Sequence, residues 1–209
     1  MPAQHTRMDG KRKAILEAAE AAFLANGYVG ASMDEIAGRA GVSKQTVYKH
    51  FEDKHTLFRV LVAATIQAVS DVVHADTSEL VHSINLEADL REFALRQLRN
   101  VMQPRVLRLR RLIIGEAGRF PQLGQDYIRL GSGRTVDVLA AAFSALIDTG
   151  AFRPDDPATM AQHFNWLVMS HPLNRAMLLG QDQTPGEDEL EGFADAGVRA
   201  FLSAYARGR

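Results

Sequence analysis

The chain has 209 residues, of which 46% are hydrophobic and 23% charged, a balance that excludes general disorder and indicates a folded globular protein. The absence of cysteine excludes disulfides and thiolate zinc sites. No apolar run approaches the ~20 residues of a membrane-spanning helix. We therefore expect a soluble, cytoplasmic protein without a membrane partner. The formal net charge of -1 excludes a bulk attraction for nucleic acid, so any DNA-binding surface must be a local patch.

The spacing of apolar residues predicts an all-α fold. They recur every three or four positions, the period of a helix, and almost nowhere alternate strictly with polar residues as in a half-buried strand. The first predicted helix runs from about Lys11 to Asn26 and ends at Gly27, a residue that accepts the left-handed conformation common after a helix. A basic cluster at its start, either a solvated tail or a phosphate-binding arm, comprises Arg7, Lys11, Arg12 and Lys13.

Two short helices are predicted next, around a glycine turn. Ser32 and Glu35 have the spacing of a capping box, in which each side chain accepts from the other residue's backbone amide. Gly41 supplies the positive φ that a sharp turn needs, and Ser43 suits the N-cap of a second helix from Lys44 to about Phe51. This is the helix-turn-helix pattern, whose second helix enters the major groove of DNA. From the pattern alone, a helix pair that serves only packing is the alternative.

The second of these helices carries side chains suited to a DNA groove. With Val47 and Phe51 facing inward, the 100° step of a helix leaves the intervening side chains on the rim and the outer face. Glutamine pairs with adenine, lysine donates to guanine and a threonine methyl contacts thymine, while the other polar side chains suit phosphates. The predicted base-reading residues are Gln45, Thr46 and Lys49.

The stretch Gly27–Phe58 reads GYVGASMDEIAGRAGVSKQTVYKHFEDKHTLF. It resembles the DNA-binding module of the TetR family of transcriptional regulators, in which three N-terminal helices bind DNA, a fourth connects, and the remainder dimerises and binds an effector. The resemblance implies a helix-turn-helix DNA-binding domain at residues 1–54 and a helical regulatory and dimerisation domain at 55–209. The residues that it assigns to the DNA backbone are Ser32, Ser43, Lys44, Tyr48, His50 and Lys54.

The rest of the chain is predicted to be helical as well. A connecting helix begins near Lys54, a weaker linker covers Asp76–Asn85, and the clearest loop is Gly180–Gly186. Arg108–Leu123 reads RLRRLIIGEAGRFPQL and is similar to a run in the regulatory domains of one branch of the TetR family. Further helices are predicted at Leu86–Met102, Arg105–Ala117, Gln122–Asp148, Pro157–Leu179 and Asp188–Ala206.

The helix predicted at 157–179 combines large apolar groups with scattered polar ones, the usual lining of a ligand pocket. Helical spacing puts Trp166 on one side and Phe164 and Val168 on another. We expect one side to line a cavity for a small, mostly apolar effector and the other to form a dimer seam, although polar residues here more often serve a core or an interface. The predicted ligand-binding residues are Met102, Tyr127, Phe143, His163, Trp166 and Ser170.

The last segment, which includes Phe193 and Phe201, is amphipathic and has no evident partner within a small domain. We therefore predict that it forms part of a homodimer interface, with a simple core helix as the alternative. The resemblance to the TetR family favours a four-helix interface between two protomers.

These features predict a DNA-binding regulator, most specifically a repressor that a small apolar effector releases from a palindromic operator. A ligand-independent or protein-controlled regulator is the alternative. An enzyme is the least favoured class, because no H-E-x-x-H, G-x-S-x-G or Walker sequence occurs and Gly131–Arg134 lacks the spacing and lysine of a P-loop. We predict no cofactor and no metal, since His163 and His171 have no convincing third ligand.

Overall fold

The computed structural model describes residues 2–179 and 184–207, and the side chains of 2–9 and 68–79 are outside that description. Within this part the chain forms ten α-helices and no strand, with one isolated antiparallel bridge between Phe152 and Ala206, so the predicted all-α fold is confirmed. The helices are α1 Pro2–Gly30, α2 Met33–Arg39, α3 Lys44–His50, α4 Lys54–Leu80, α5 Leu86–Val101, α6 Pro104–Ala117, α7 Pro121–Leu130, α8 Ser132–Asp148, α9 Pro157–Leu179 and α10 Glu187–Tyr205.

The prediction of one helix at Gln122–Asp148 is wrong, because the helical conformation is interrupted at Gly131, between α7 and α8. A Cβ atom on Gly133 would lie 2.8 Å from the backbone oxygen of Ile128, so the tight approach of the two helices requires a glycine there. Pro121–Asp148 has the length and composition of a membrane span, and this break divides it into two helices.

The predicted linker at Asp76–Asn85 is also wrong in its first half, because α4 continues to Leu80. Residues 76–80 contain no glycine or proline that would end the helix, so its backbone hydrogen bonding continues to Leu80. The described end of the predicted 180–186 loop, residues 184–186, is non-helical, whereas residues 180–183 lie outside the described residues.

The chain divides into two compact units. The first ends at Thr65 and also takes in Arg108–Tyr127. Its core includes Phe23, Phe51 and Phe58, all fully buried, and the rings of Phe23 and Phe58 meet edge to face with centroids 4.9 Å apart. Burial of such rings stabilises α1, α3 and the start of α4 against one another by roughly 1.5–3 kcal/mol per side chain.

The second unit comprises Ile66–Leu107 and the chain from Ile128 onward. In it α9 packs against α8 and α10, and α5 packs against α10. Its core is built around four fully buried rings, with centroids 5.1 Å apart between Phe143 and Phe201 and 5.2 Å apart between Phe164 and Phe201. Phe152 meets Phe143 edge to face at 5.5 Å. This unit therefore has an apolar core of its own.

Candidate DNA interface

The turn between α2 and α3 has the geometry of a helix-turn-helix. Gly41 takes a φ of 64°, and the amide of Val42 donates to the carbonyl of Ala37 at 3.1 Å. Such a left-handed residue ends α2 and reverses the chain within a few residues. The turn predicted from the glycine position is confirmed.

Both predicted N-caps are present. The Ser32 hydroxyl accepts from the Glu35 amide at 3.1 Å, and the Ser43 hydroxyl accepts from the Thr46 amide at 3.2 Å. The second half of the predicted capping box is absent, because the Glu35 carboxylate instead accepts from Asn26 and Arg39, each at 2.9 Å. This carboxylate ties α1 to α2 and so fixes the frame on which α3 is presented.

Helix α3 turns one apolar edge inward and the rest of its surface outward. Val47 and the C-cap residue Phe51 are buried in the core of the first unit. Thr46 and His50 are half-buried at the rim, and the Thr46 hydroxyl lies 2.8 Å from that of Ser43. The exposed side chains on and beside the helix are Ser43, Lys44, Gln45, Tyr48 and Lys49. This is the outer face predicted from the 100° helical step.

The charges around this face are mostly solvated. The Lys44 ammonium lies 2.7 Å from the Asp34 carboxylate, and the hydrogen bond that it donates to this carboxylate raises the pKa of Lys44. Both side chains are exposed, and exposed ion pairs of this kind are weak. The Lys44 ammonium is therefore only weakly held by Asp34 and stays accessible from solvent. Of the basic residues in α1, Arg12 stacks on the Phe51 ring at 5.6 Å, whereas the side chain of Arg7 is outside the described part.

Lys54 differs from the other predicted DNA contacts. Its ammonium donates to the backbone carbonyls of Val29 at 3.1 Å and Ala31 at 3.0 Å, and it lies 4.9 Å from the centre of the Tyr28 ring. Burial lowers the pKa of Lys54. Lys54 is therefore half-buried and has backbone partners within the first unit.

The six predicted ligand-binding residues lie in different environments. Met102 and Phe143 are buried in the core of the second unit, Tyr127 belongs to the first unit, and Trp166 is 51% exposed. His163 and Ser170 also face outward. The reason is that α9 is apolar on several sides, so its period alone does not show which side is buried.

One side of α9 was predicted to line a cavity and the other to form a dimer seam, but the side that carries Phe164 and Val168 does neither. Phe164 and Val168 are fully buried and pack in the core of the second unit. The prediction that Phe201 of the last helix belongs to a dimer seam is likewise wrong, because this ring is 0% exposed within a single chain. Phe193 is only partly buried.

The second unit contains a buried polar pair that was not predicted from the sequence. Gln97 of α5 donates from its side-chain nitrogen to the Asn165 side-chain oxygen of α9 at 3.1 Å, and both residues are buried. The side-chain oxygen of Gln97 has no partner among the described residues. A glutamine and an asparagine 68 positions apart offer no sequence signal of such a pair, since only packing brings α5 and α9 together.

The first unit is a helix-turn-helix with an exposed, polar second helix, and it continues into a helical second unit through α4. This arrangement defines the class of helix-turn-helix DNA-binding transcriptional regulators. Residues 15–61 match the family model of bacterial regulatory proteins of the tetR family, and residues 88–207 match the AefR-like transcriptional repressor C-terminal domain. The chain belongs to the TetR family of transcriptional regulators, whose members bind DNA and are generally repressors.

Several known proteins resemble the chain over almost its whole length. A TetR-family regulator from Mesorhizobium loti is 41% identical in sequence and superposes with a TM-score of 0.88, covering 96% of this chain and 99% of that chain. The flavonoid-responsive regulator FrrA is 30% identical with a TM-score of 0.78, covering 95% and 98%. A helix-turn-helix regulator of Mycobacterium tuberculosis is 29% identical over 91% of this chain and 83% of its own length.

Proposed function

We propose that this protein is a cytoplasmic homodimeric repressor that binds a two-fold-symmetric operator and is released from it by a small effector. The observation that carries the proposal is the exposed polar face of α3 above a buried Val47 and Phe51. A helix in the major groove needs such a face, with donors and acceptors free to meet base edges. We assign DNA binding to residues 1–54 and regulation to residues 55–209.

Within α3, we assign base reading to Gln45, Thr46 and Lys49 and phosphate contact to neighbouring side chains. Gln45 and Lys49 are exposed and lie one helical turn apart, so both can reach one groove. The proposed phosphate contacts are Ser32, Ser43, Lys44, Tyr48, His50 and Lys54.

We propose that the outward sides of α9 and α10 form the dimer interface. Trp166, Leu167 and Leu178 are large apolar side chains with roughly half or more of their surface exposed in the single chain. A Cβ atom on Gly197 of α10 would lie 2.8 Å from the Val168 side chain of α9, so these two helices pack closely and present a continuous surface. Two such pairs can bury their apolar sides against each other as a four-helix bundle.

The proposed effector is a mostly apolar, planar molecule that carries hydroxyl groups. The 30% identity to a regulator named for its response to flavonoids supports this class. The oxygen of the buried Gln97 side chain has no partner among the described residues and is an acceptor suited to a hydroxyl donor. A buried acceptor without a partner is costly, so a ligand that satisfies it gains affinity.

Selection of DNA fragments by the purified protein tests the first part of the proposal. We expect enrichment of a two-fold-symmetric sequence with half-sites about one helical turn, ~34–36 Å, or a multiple of it apart. Recovery of no sequence, or of an asymmetric one bound by a single chain, would contradict it.

Titration of the operator complex with a flavonoid such as quercetin tests the effector class. We expect a roughly 5- to 150-fold loss of operator affinity, the usual size of such coupling. Gln97→Leu should bind operator normally and respond less, whereas Gln125→Leu, at an exposed position of α7, should respond as the native protein does. If no flavonoid alters DNA binding, the ligand-independent regulator becomes the better interpretation.

A further inference from the structure

Two cations from distant parts of the chain lie over a pair of touching aromatic rings in the first unit. Lys54 begins α4, and Arg119 lies in the turn between α6 and α7. We propose that Arg119 contacts the DNA backbone beside Lys54, so that the phosphate-binding surface extends beyond residues 1–54 into the α6–α7 turn. The inference rests on the proposed DNA-binding function and adds a contact to it.

The two rings hold the cations close to each other. Tyr28 and Phe120 meet edge to face with centroids 4.8 Å apart. The Lys54 ammonium lies 4.9 Å from the centre of the Tyr28 ring, and the guanidinium carbon of Arg119 lies 5.5 Å from the centre of the Phe120 ring. Both distances are attractive for a cation over an aromatic face. Because the rings are in contact, the ammonium and the guanidinium are neighbours.

The α6–α7 turn is fixed to the same unit as the helix-turn-helix. The amides of Arg119 and Phe120 donate to the Glu116 carbonyl at 3.0 and 2.8 Å, which closes the turn at the end of α6. Beyond the turn, the Asp126 carboxylate of α7 accepts from Arg59 of α4 at 2.6 Å. Contacts on both sides of the turn therefore hold Arg119 in place relative to the start of α4.

The electrostatics of this place favour an anion. Burial lowers the pKa of Lys54, the nearby Glu116 carboxylate raises it, and the charge of Arg119 lowers it further. Arg119 is exposed, and its guanidinium has no hydrogen-bond or ion-pair partner among the described residues. Two neighbouring cations repel each other, and a phosphate relieves that repulsion while it accepts charge-assisted hydrogen bonds from both.

Lys54 keeps a donor for such a phosphate. An ammonium has three N–H donors, and two of them are directed at the carbonyls of Val29 and Ala31, 3.1 and 3.0 Å away. Ala31 precedes Ser32, the N-cap of α2 and a proposed phosphate contact. A chain of contacts thus joins Ser32, Lys54 and Arg119, and we infer that they follow one DNA strand.

The salt dependence of operator binding tests the proposal. A cation that neutralises a phosphate contributes about 0.9 to the slope of log affinity against log salt concentration. Arg119→Gln is expected to lower the slope by about 0.9 and to weaken binding to all operator sequences about eightfold at 0.1 M salt. A slope equal to that of the native protein would overturn the proposal, even if the affinity falls, because Arg119 would then act only through the structure of the turn.

Arg108→Gln is the matched control, because Arg108 is an exposed arginine of α6 in the same unit, about three helical turns before Arg119. It removes the same charge and is expected to leave the slope unchanged. Arg119→Lys keeps the charge and is expected to retain most of the native slope, whereas Arg119→Glu should lower the slope further than Arg119→Gln. If Arg119→Lys loses as much of the slope as Arg119→Gln does, the effect is not one of charge and the proposal is wrong.

Ethylation of single operator phosphates locates the contact directly. For the native protein, we expect one phosphate in each half-site at which ethylation weakens binding and no longer does so in Arg119→Gln. This phosphate should lie on the same strand as the one to which Lys54→Gln loses its sensitivity. Binding of a specific operator by the native protein tests the proposed function itself. If the native protein binds and Arg119→Gln keeps the native pattern of sensitive phosphates, only the contact by Arg119 is contradicted.

Discussion

The proposed recognition of bases by α3 depends on which of its side chains are exposed. Gln45 and Lys49 are exposed, whereas Thr46 is half-buried and has a hydroxyl 2.8 Å from that of Ser43. At the rim of the helix this contact holds the threonine side chain in one position. Of the three proposed base-reading residues, Gln45 and Lys49 therefore have the most freedom to adjust to a base edge.

Substitution of Gln45 or Lys49 by alanine is expected to relax base preference at particular operator positions, each by roughly 1–3 kcal/mol of discrimination. The reason is the loss of a donor or acceptor that distinguishes one base pair from another. Binding to a panel of operators with single base changes measures this. Lys44→Ala is the control and should weaken all of these operators equally. A Lys49→Ala protein with unchanged preference and affinity would remove Lys49 from the set of base readers.

At the scale of the helix, a side chain caps the N-terminus of each of α2, α3 and α4. Ser32 and Ser43 cap the first two, and the Asp53 carboxylate accepts from the Thr56 amide at 2.6 Å at the start of α4. Caps satisfy amides that have no partner within a helix. The boundaries of these short helices are therefore set by local residues.

Asp53→Ala is expected to destabilise the protein by ~0.5–2 kcal/mol at neutral pH through loss of this cap. Hydrogen bonds from Thr56 lower the pKa of Asp53 in the folded state. The stabilisation is therefore present above the unfolded-state pKa of about 4 and is lost as the pH falls through the lower folded-state pKa. Urea unfolding at neutral pH and at about pH 3 checks this.

Asp53→Asn is the matched variant, because an asparagine retains a cap oxygen that does not titrate. It is expected to lie close to the native protein at neutral pH. If Asp53→Ala is as stable as the native protein at neutral pH, or if the difference between them grows in acid, the cap does not act as described.

At the scale of the whole molecule, the proposed dimer explains the outward apolar side chains of α9. Trp166, Leu167, Leu178 and Leu179 are all exposed within the single chain, and soluble proteins rarely leave such side chains together in water. Pairing of two chains would bury them without changing the core of the second unit. A two-fold-symmetric interface also matches the symmetry of an operator.

Trp166→Glu combined with Leu167→Glu is expected to convert the dimer into a monomer that remains folded but binds operator poorly. A buried carboxylate without a partner is strongly unfavourable in an interface. Light scattering measures the mass and circular dichroism the fold. Ile84→Glu, at a fully exposed position of the same unit, should remain dimeric. A double variant that stays dimeric would place the interface elsewhere.

Phe201 is unsuitable for the same test, although the sequence favoured it. Its ring is buried against Phe143, Phe152 and Phe164, so a charge there disrupts the core of each chain. A loss of dimer in such a variant would report unfolding and would not identify an interface.

The sequence by itself determined the features that depend on neighbours within about four residues. Ser32, Gly41 and Ser43 act on amides and carbonyls next to them, which is why the caps and the turn of the helix-turn-helix were predictable. The buried edge of α3 was equally predictable, because Val47 and Phe51 are one turn apart on a helix otherwise polar. Local hydrogen bonding and the helical period are both readable along the chain.

Only the tertiary structure decided the features that depend on distant residues. The acceptors of Lys54 lie 25 and 23 positions earlier in the chain, and the partner of Gln97 lies 68 positions later. Helix α9 has apolar residues on several sides, so the choice between core and surface for Phe164 and Trp166 depends on where α8 and α10 pack. A helix with one apolar stripe specifies its buried side, whereas a helix that is apolar on several sides leaves that choice to its neighbours.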